Sequence, residues 1–335
     1  MSNWYTVDPL NHIAVSTRVR LARNLKDTPF PSRLNAEGMA KVGEKIKKAI
    51  LESDTPFAKS LKFISMTDVP ENEVFAMVER HIISPEFANK RDGRAILISE
   101  DESVCVMIGE EDHIRIQVIR SGLDLEKAYE TADSIDQLLS SKCGFAFDNQ
   151  LGYLTECPTN LGTGLRASVM LHLPFMESVG AVSEISDTIG KIGFTVRGMY
   201  GEGSKSKASL YQISNQITLG ITEKNAIDNL SVITRQIIER ECGERKKKDK
   251  IQLEDIVWRA YGTLKNQRIL SSDEMMKLVS YLKIGIAEGV FPFETALPIK
   301  ILIETSPYML CRKDGEKTPM ERDILRAKTV RNMIP

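Results

Sequence analysis

Residues 95–119, AILISEDESVCVMIGEEDHIRIQVI, carry the pattern that decides the fold. Ala95–Ser99 and Val104–Ile108 are apolar runs of strand length, separated by the turn-like sequence Glu-Asp-Glu-Ser. From Ile114 onward apolar residues alternate with more polar ones, as in a strand with one buried face. Three short strands in succession predict an antiparallel meander.

Helical patterns follow this meander along the chain. Apolar residues recur at helical spacing within 124–141 and predict an amphipathic helix there. A second stretch of helical periodicity follows the charged run 244–250, ERKKKDK, which marks an approximate domain boundary. The sequence therefore predicts an α+β domain over residues 1–243 and a smaller all-helical domain over residues 251–335.

Two capping patterns divide the C-terminal region into helices. Ser271 with Glu274 is typical of a capping box that opens a helix. Thr318, followed by Pro319 and by Glu321 three residues on, predicts the start of a terminal helix. The apolar stripes of these helices suggest a dimerisation surface, although such stripes more often form a core.

Composition excludes several classes of protein. The chain has 335 residues and a formal net charge of −1, so no global basic field draws it to nucleic acid. No apolar run approaches the length of a membrane span, and the N-terminus lacks the pattern of a signal peptide. The five cysteines are dispersed, without the pairing of a disulfide framework or zinc site. We expect a cytoplasmic protein without membrane or direct nucleic-acid partners.

Arginine is the residue type that points to function. The usual glycine-rich nucleotide motifs are missing, so side chains would have to hold any bound phosphates. Arginine suits that task because it is permanently charged and can fork two donors onto phosphate oxygens. A single such arginine is more often a solvated surface charge. Four segments place arginines beside glycine, cysteine or acidic residues: 16–24 (STRVRLARN), 109–117 (GEEDHIRIQ), 157–167 (CPTNLGTGLRA) and 196–204 (VRGMYGEGS).

These four segments, in this order, closely resemble the signatures of the phosphagen (guanidino) kinase family. The resemblance covers about residues 10–220, and it implies an antiparallel-sheet catalytic domain that uses ATP and Mg²⁺. It implies that five arginines bind the ATP phosphates: Arg18, Arg20, Arg115, Arg166 and Arg197. It also implies that Glu110 orders the water shell of magnesium without direct protein ligands to the metal.

The acceptor side is implied by the same resemblance. Glu111 matches the catalytic carboxylate, Glu202 the second guanidinium-binding glutamate, and Cys157 the cysteine beside the reactive nitrogen. Taken alone, the two glutamates could be surface acids and the cysteine a small buried hydrophobe. The chemistry suits the assignment, because a guanidinium keeps its proton and is a poor nucleophile. Two carboxylates can aim one nitrogen at the γ-phosphorus and accept the departing proton.

Two positions depart from the family pattern. Met170 stands where the family has an adenine-contacting histidine, and an apolar contact from Met170 is the simplest substitute. Gly109 stands where the family commonly has asparagine. Asp112 and His113 complete the EEDH run, and we interpret both as structural.

The layout indicates which guanidino kinase this is. Only fifteen residues precede STRVR, whereas the small-molecule kinases carry a helical N-terminal domain that helps to enclose the substrate. The extra mass lies on the C-terminal side, as in the bacterial protein arginine kinases, which the chain resembles over its whole length. We therefore expect arginine side chains in proteins as the acceptor. The alternatives are a small-molecule arginine kinase and a non-catalytic phosphoarginine-binding module; the intact set of site residues argues against the module.

The terminal helix carries the sequence RDILRA, which resembles the phosphoarginine-binding RDxxRA motif of that group. Arg322 and Arg326 are four apart and share a helix face, so both could grip one phosphate while Asp323 meets a guanidinium. By spacing alone, a solvated charged face is the more common explanation. The resemblance favours an allosteric product-sensing site. It further implies a homodimer and three partners, a zinc-containing activator protein, a heat-shock repressor and an AAA+ protease.

Overall fold

The computed structural model describes residues 3–9, 12–198, 206, 208–312 and 315–335. The strands are β1 Ala14–Arg23, β2 Leu61–Ser65, β3 Ala95–Ser99, β4 Val104–Ile108, β5 Ile114–Ser121, β6 Phe147–Asp148, β7 Gly152–Tyr153, β8 Leu165–His172, β9 Phe194–Gly198 and β10 Leu210–Asn215. The helices are α1 Ala36–Leu51, α2 Pro56–Ser60, α3 Glu71–Glu79, α4 Pro85–Asn89, α5 Leu125–Cys143, α6 Pro174–Ser178, α7 Ala181–Gly190, α8 Glu223–Arg245, α9 Lys250–Asn266, α10 Ser272–Ala287, α11 Leu297–Glu304, α12 Pro307–Cys311 and α13 Pro319–Met333.

Eight of the strands form one antiparallel sheet in the order β2-β3-β4-β5-β1-β8-β10-β9, while β6 and β7 form a small hairpin. The meander expected from residues 95–119 is confirmed, because β3, β4 and β5 are consecutive neighbours with antiparallel register. The amphipathic helix expected within 124–141 is α5. The α+β fold class is confirmed as well.

The two faces of the sheet differ sharply in chemistry. On one face, apolar side chains from β1, β5 and β8 pack against α1, α5 and α8; Val19, Leu21, Ile116 and Val169 are among the fully buried ones. Side chains alternate between faces along a strand, so the intervening residues of β1 and β8 point to the opposite face. That opposite face carries arginines, as described below.

From Lys250 onward the regular elements that the structure describes are the helices α9–α13, joined by short turns and loops. The capping box at Thr318 is complete, whereas Ser271 accepts from the Glu274 amide as one half of such a box. A second apolar cluster joins these helices to the N-terminal segment and to the sheet, with Trp4 and Ile119 packed among C-terminal residues. Tyr5 donates a hydrogen bond to Glu304 at 2.8 Å. Within the described part of the chain, every helix is too short or too polar to cross a membrane.

Arg23, at the end of β1, links this strand to α5 and α8 on the apolar side of the sheet. The side chain is fully buried and forms ion pairs at 2.9 Å with both Asp136 of α5 and Glu223 of α8. Its guanidinium also lies 3.5 Å from the ring centroid of Tyr153 and donates to the Thr163 carbonyl at 2.8 Å. One cation therefore pairs with two carboxylates, of which Glu223 also accepts from the Tyr129 hydroxyl at 2.6 Å.

We expect Arg23→Leu to lower the free energy of unfolding by about 3–5 kcal/mol, because it leaves two carboxylates without their cation. Urea denaturation followed by circular dichroism measures this loss. Arg120→Leu is the matched control, since Arg120 forms a partly exposed ion pair with Asp124 and its loss should cost at most about 1 kcal/mol. Equal losses in the two variants would contradict the role given to Arg23.

Candidate active site

Strand register brings the five predicted arginines onto one face of the sheet. Arg18 and Arg20 are two residues apart on β1, and Arg20 lies directly opposite Arg166 on β8. Arg115 extends from β5, the neighbour of β1 on its other side, and Arg197 from the edge strand β9. Residues from four strands, distant in sequence, therefore converge.

All five arginines line a cleft of about 670 Å³. The sheet forms its floor, and the segment between α3 and α4 forms part of its wall. The C-terminal helical region supplies further lining residues from α10, α11 and the start of α12: Ser272, Met275, Met276, Leu302, Ile303, Ser306 and Pro307. The arginine cleft thus lies between the sheet and the C-terminal helices.

The arginine cleft is electrostatically unbalanced. Burial, and then the neighbouring guanidinium groups of Arg115 and Arg166, lower the pKa of Arg18 to about 10. The same causes, with Arg18 added, hold the pKa of Arg20 well below its usual value. Buried like charges repel one another, so a bound polyanion would relieve the repulsion. The Arg20 Nε is buried and has no hydrogen-bond partner among the described residues, which fits a missing phosphate oxygen.

The predicted carboxylate pair lies on the turn between β4 and β5. Glu110 is buried, accepts hydrogen bonds from the Ser84 hydroxyl and from the Glu111 amide at 2.8 Å each, and pairs with Arg115 at 2.7 Å. Glu111 is less buried; it pairs with the same Arg115 nitrogen at 3.2 Å and accepts from Asn160 at 3.3 Å. Arg115 therefore touches both carboxylates as well as the arginine cleft.

A second cavity, of about 1000 Å³, adjoins this turn. Its lining carries four acidic side chains, Asp92, Glu110, Glu111 and Glu156, with three basic ones, Lys90, Arg91 and Arg94, and Cys157. The Cys157 sulfur lies 3.0 Å from the Thr159 hydroxyl. We call this the acidic cavity; Arg115 of the arginine cleft pairs with two of its lining residues, Glu110 and Glu111. Glu202, the second predicted guanidinium-binding glutamate, lies outside the described residues.

Met170 lies on the same sheet face as the arginines, opposite Gln212 of β10. It lines a small cavity of about 110 Å³ beside Arg18, together with Trp4, Ile119 and three residues of α11, Ile299, Leu302 and Ile303. These apolar walls suit a flat, poorly solvated group. Contact between Met170 and adenine stays a prediction.

Several residues of the site carry no motif that sequence reasoning could use. Gln212 accepts a hydrogen bond from Arg18 at 2.7 Å, and Ser84 and Asn160 hold the two glutamates. His81 lines both the arginine cleft and the small cavity, with a backbone φ of 62°. Burial, and then the charge of Arg18, lower the pKa of His81 to about 4, which keeps its ring neutral beside the arginines.

The remaining residues of the EEDH segment have structural contacts. His113 accepts from the Leu25 amide at 3.0 Å through Nδ1, and its Nε2 lies 2.9 Å from the Pro29 carbonyl. Gly109 has a φ of +81°, a region that glycine and asparagine both tolerate. A Cβ at this position would also lie 2.8 Å from the Met39 sulfur, so glycine fits here without moving that side chain.

The predicted RDxxRA residues lie on α13, but they are in different environments. Arg326 is 1% exposed; it donates to the carbonyls of Thr305 at 3.0 Å and Leu270 at 2.8 Å, and it pairs with Asp323. Arg322 is half-buried and donates to the Lys317 carbonyl at 2.7 Å. The two arginines therefore share a helix without presenting equal access to solvent. Phosphoarginine binding here stays a prediction.

Family models match almost the whole chain in two parts. Residues 41–244 match the ATP:guanido phosphotransferase C-terminal catalytic domain. Residues 250–335 match the domain described as the protein-arginine kinase McsB C-terminal domain. The boundary between the two matches falls within the charged run 244–250.

Relatives extend this similarity to full length. A protein-arginine kinase of Halothermothrix orenii is 42% identical, with 100% of this chain and 97% of the relative covered. One from Desulforamulus reducens is 39% identical, with 99% and 95% covered.

Solved structures of guanidino kinases share the fold. The duplicated taurocyamine kinase from Schistosoma mansoni, bound to transition state analog components, matches with a TM-score of 0.62 and 29% identity, covering 74% of this chain and 37% of that one. Lombricine kinase matches with a TM-score of 0.62 at 22% identity, covering 72% of this chain and 70% of the other. The arginine cleft, the paired glutamates and these matches lead to one conclusion: the chain belongs to the ATP:guanido phosphotransferase family.

Proposed function

We propose that this chain is an ATP-dependent kinase that transfers the γ-phosphate to arginine side chains in proteins. The observation that carries the proposal is that Arg115, which lines the arginine cleft, pairs with Glu110 and Glu111, which line the acidic cavity. A polyanion suits the first and a guanidinium suits the second, so phosphate donor and acceptor would lie on either side of one residue. The full-length relatives named protein-arginine kinase support arginine in proteins as the acceptor.

Five arginines would hold the nucleotide phosphates: Arg18, Arg20, Arg115, Arg166 and Arg197. Phosphoryl transfer depends mainly on positioning and charge neutralisation, which this set supplies. The described residues contain no group of three or more metal-ligating side chains. We propose that magnesium arrives bound to ATP and that Glu110 contacts it through water, since Mg²⁺ keeps several of its waters. Met170 would pack against the base.

On the acceptor side, Glu111 would orient the target guanidinium and accept its proton. Its present partners, Arg115 and Asn160, fix the carboxylate on the boundary between the two cavities. A new N–P bond would form as the P–O bond to ADP breaks, and the proton would move from the guanidinium nitrogen to Glu111. Glu202 would hold the other side of the guanidinium, and Cys157 would lie beside the reacting nitrogen.

The acceptor could instead be free arginine. The full-length relatives named protein-arginine kinase favour arginine in proteins over the free amino acid. We also propose residues 1–243 and 251–335 as catalytic and regulatory domains of a cytoplasmic homodimer. A zinc-containing activator, a heat-shock repressor and an AAA+ protease are proposed partners.

Incubation with ATP, Mg²⁺ and an unfolded arginine-rich protein should give acid-labile phosphate on arginine, detected by mass spectrometry under non-acidic conditions. Glu111→Gln should lower the rate about 10²–10⁴-fold, because it removes the proton acceptor. Free arginine at equal concentration is the comparison substrate. Faster turnover of free arginine would replace this function with a small-molecule kinase, and binding of phosphoarginine without any turnover would indicate a binding module.

The crowded arginines give a prediction that separates catalysis from folding. Arg20→Met should lower turnover about 10³-fold, because a phosphate contact that stabilises the transition state is lost. The thermal unfolding midpoint should stay equal or rise, because Arg20 is repelled by its arginine neighbours. Arg235→Met, on the exposed side of α8, should change neither quantity. A marked drop in the unfolding midpoint of Arg20→Met would contradict the electrostatic account.

We further propose that Arg322 and Asp323, with Arg326 behind them, bind phosphoarginine as an allosteric signal. The two arginines need separate tests. Arg326→Ala should lower the free energy of unfolding by about 1–3 kcal/mol, since it leaves two buried carbonyls without a donor. Loss of activation in that variant would therefore not identify a ligand site.

Arg322→Ala is the informative variant. It should abolish phosphoarginine binding, measured by calorimetry, while the unfolding midpoint stays unchanged. Lys328→Ala, an exposed cation on the same helix, is the matched control and should bind normally. Unchanged binding in Arg322→Ala would place the phosphoarginine site elsewhere.

A further inference from the structure

Asp112 forms the centre of a buried polar network behind the acidic cavity. The residue is 1% exposed, and its Oδ1 accepts two hydrogen bonds, from the Asn24 amide at 2.6 Å and from the Glu156 backbone amide at 2.8 Å. Its Oδ2 is buried and has no hydrogen-bond partner among the described residues. A buried carboxylate whose hydrogen bonds come from amides costs folding free energy, so stability alone does not account for it.

Asn24 extends the network to three segments of chain. This side chain, itself 1% exposed, accepts from the His113 amide at 2.9 Å and donates to the Leu154 carbonyl at 3.0 Å. The network thereby joins the end of β1, the turn that carries the glutamate pair, and the segment that leads into Cys157. These are short, buried contacts, which hold their geometry better than exposed ones.

Two pairs of consecutive residues connect this network to the acidic cavity. One pair is Glu111 and Asp112, and the other is Glu156 and Cys157. Asp112 accepts a hydrogen bond from the backbone amide of Glu156. This bond holds the turn that carries Glu111 next to the segment that carries Cys157. Both segments line the acidic cavity.

We propose that the Asn24–Asp112 pair positions the Glu156–Cys157 segment against Glu111 and so sets the width of the acidic cavity. Asp112 is a positioning residue, because it is 1% exposed and acts through its hydrogen bond to the Glu156 backbone. The inference rests on the proposed kinase function for its kinetic readout. According to this proposal, the Asn24–Asp112 pair sets the geometry of the acceptor side only, and the arginine cleft does not depend on the pair.

Asp112→Ala should lower kcat/KM for the protein acceptor about 100-fold, the cost of misplacing a reacting group by about 1 Å. The KM for ATP should stay unchanged, because the arginine cleft is untouched. Asp112→Asn retains an oxygen that can accept both hydrogen bonds, and it should restore most of the lost activity. A loss shared equally between ATP and acceptor would overturn the proposal.

Thiol reactivity supplies a readout that needs no catalysis. Asp112→Ala should change the rate at which iodoacetamide alkylates Cys157, followed by peptide mass spectrometry, with Cys143 and Cys242 as internal references. Leu139→Ala, a fully buried residue of α5, controls for general destabilisation and should leave the Cys157 rate unchanged. An unaltered Cys157 rate in Asp112→Ala, or an equal change in Leu139→Ala, would refute the positioning role.

Asn24→Ala is the alternative variant if Asp112→Ala does not fold. It removes the Asn24 amide as a hydrogen-bond partner of Asp112 and keeps the bond between Asp112 and Glu156. It should shift the same two quantities, acceptor kcat/KM and Cys157 alkylation, in the same direction and by less. No effect on either would count against the pair. A wild-type protein that lacks kinase activity would refute the proposed function, and the alkylation result would still decide whether the network positions Cys157.

Discussion

Five arginines on one face of a sheet repel one another, and the rest of the molecule has to hold them there. The opposite face provides that restraint, because apolar residues of the same strands are buried against α1, α5 and α8. Arg23 links β1 to α5 and α8 by ion pairs on this apolar side of the sheet. The fold thus holds an unfavourable charge cluster in place by burying the alternate residues, and the cluster becomes favourable only with an anion bound.

Arg115 connects this charge cluster to the acceptor side. Its guanidinium pairs with Glu110 and Glu111, while its strand position also places it among the cleft arginines. A phosphate that attracts Arg115 would compete with the two carboxylates for the same donor. In the proposed reaction, Arg115 would therefore lie between the phosphate donor and the acceptor.

Periodicity and motif spacing predicted much of this arrangement, within limits set by physics. The meander and α5 follow from local alternation and helical spacing, which need no knowledge of the rest of the chain. The strand order β5-β1-β8-β10-β9 does not follow, because it depends on pairing between distant segments. Gln212 and His81 join the site only through that pairing. Arg326 was missed as a buried residue because the spacing of charges on a helix does not tell which face is packed.

The burial of Arg326 gives the C-terminal helices a structural link to the arginine cleft. The two carbonyls that it holds, Leu270 and Thr305, lie within two residues of Ser272 and Ser306, which line the cleft. These contacts are short and buried, so one side chain holds both the terminal helix and the wall above the arginines in place.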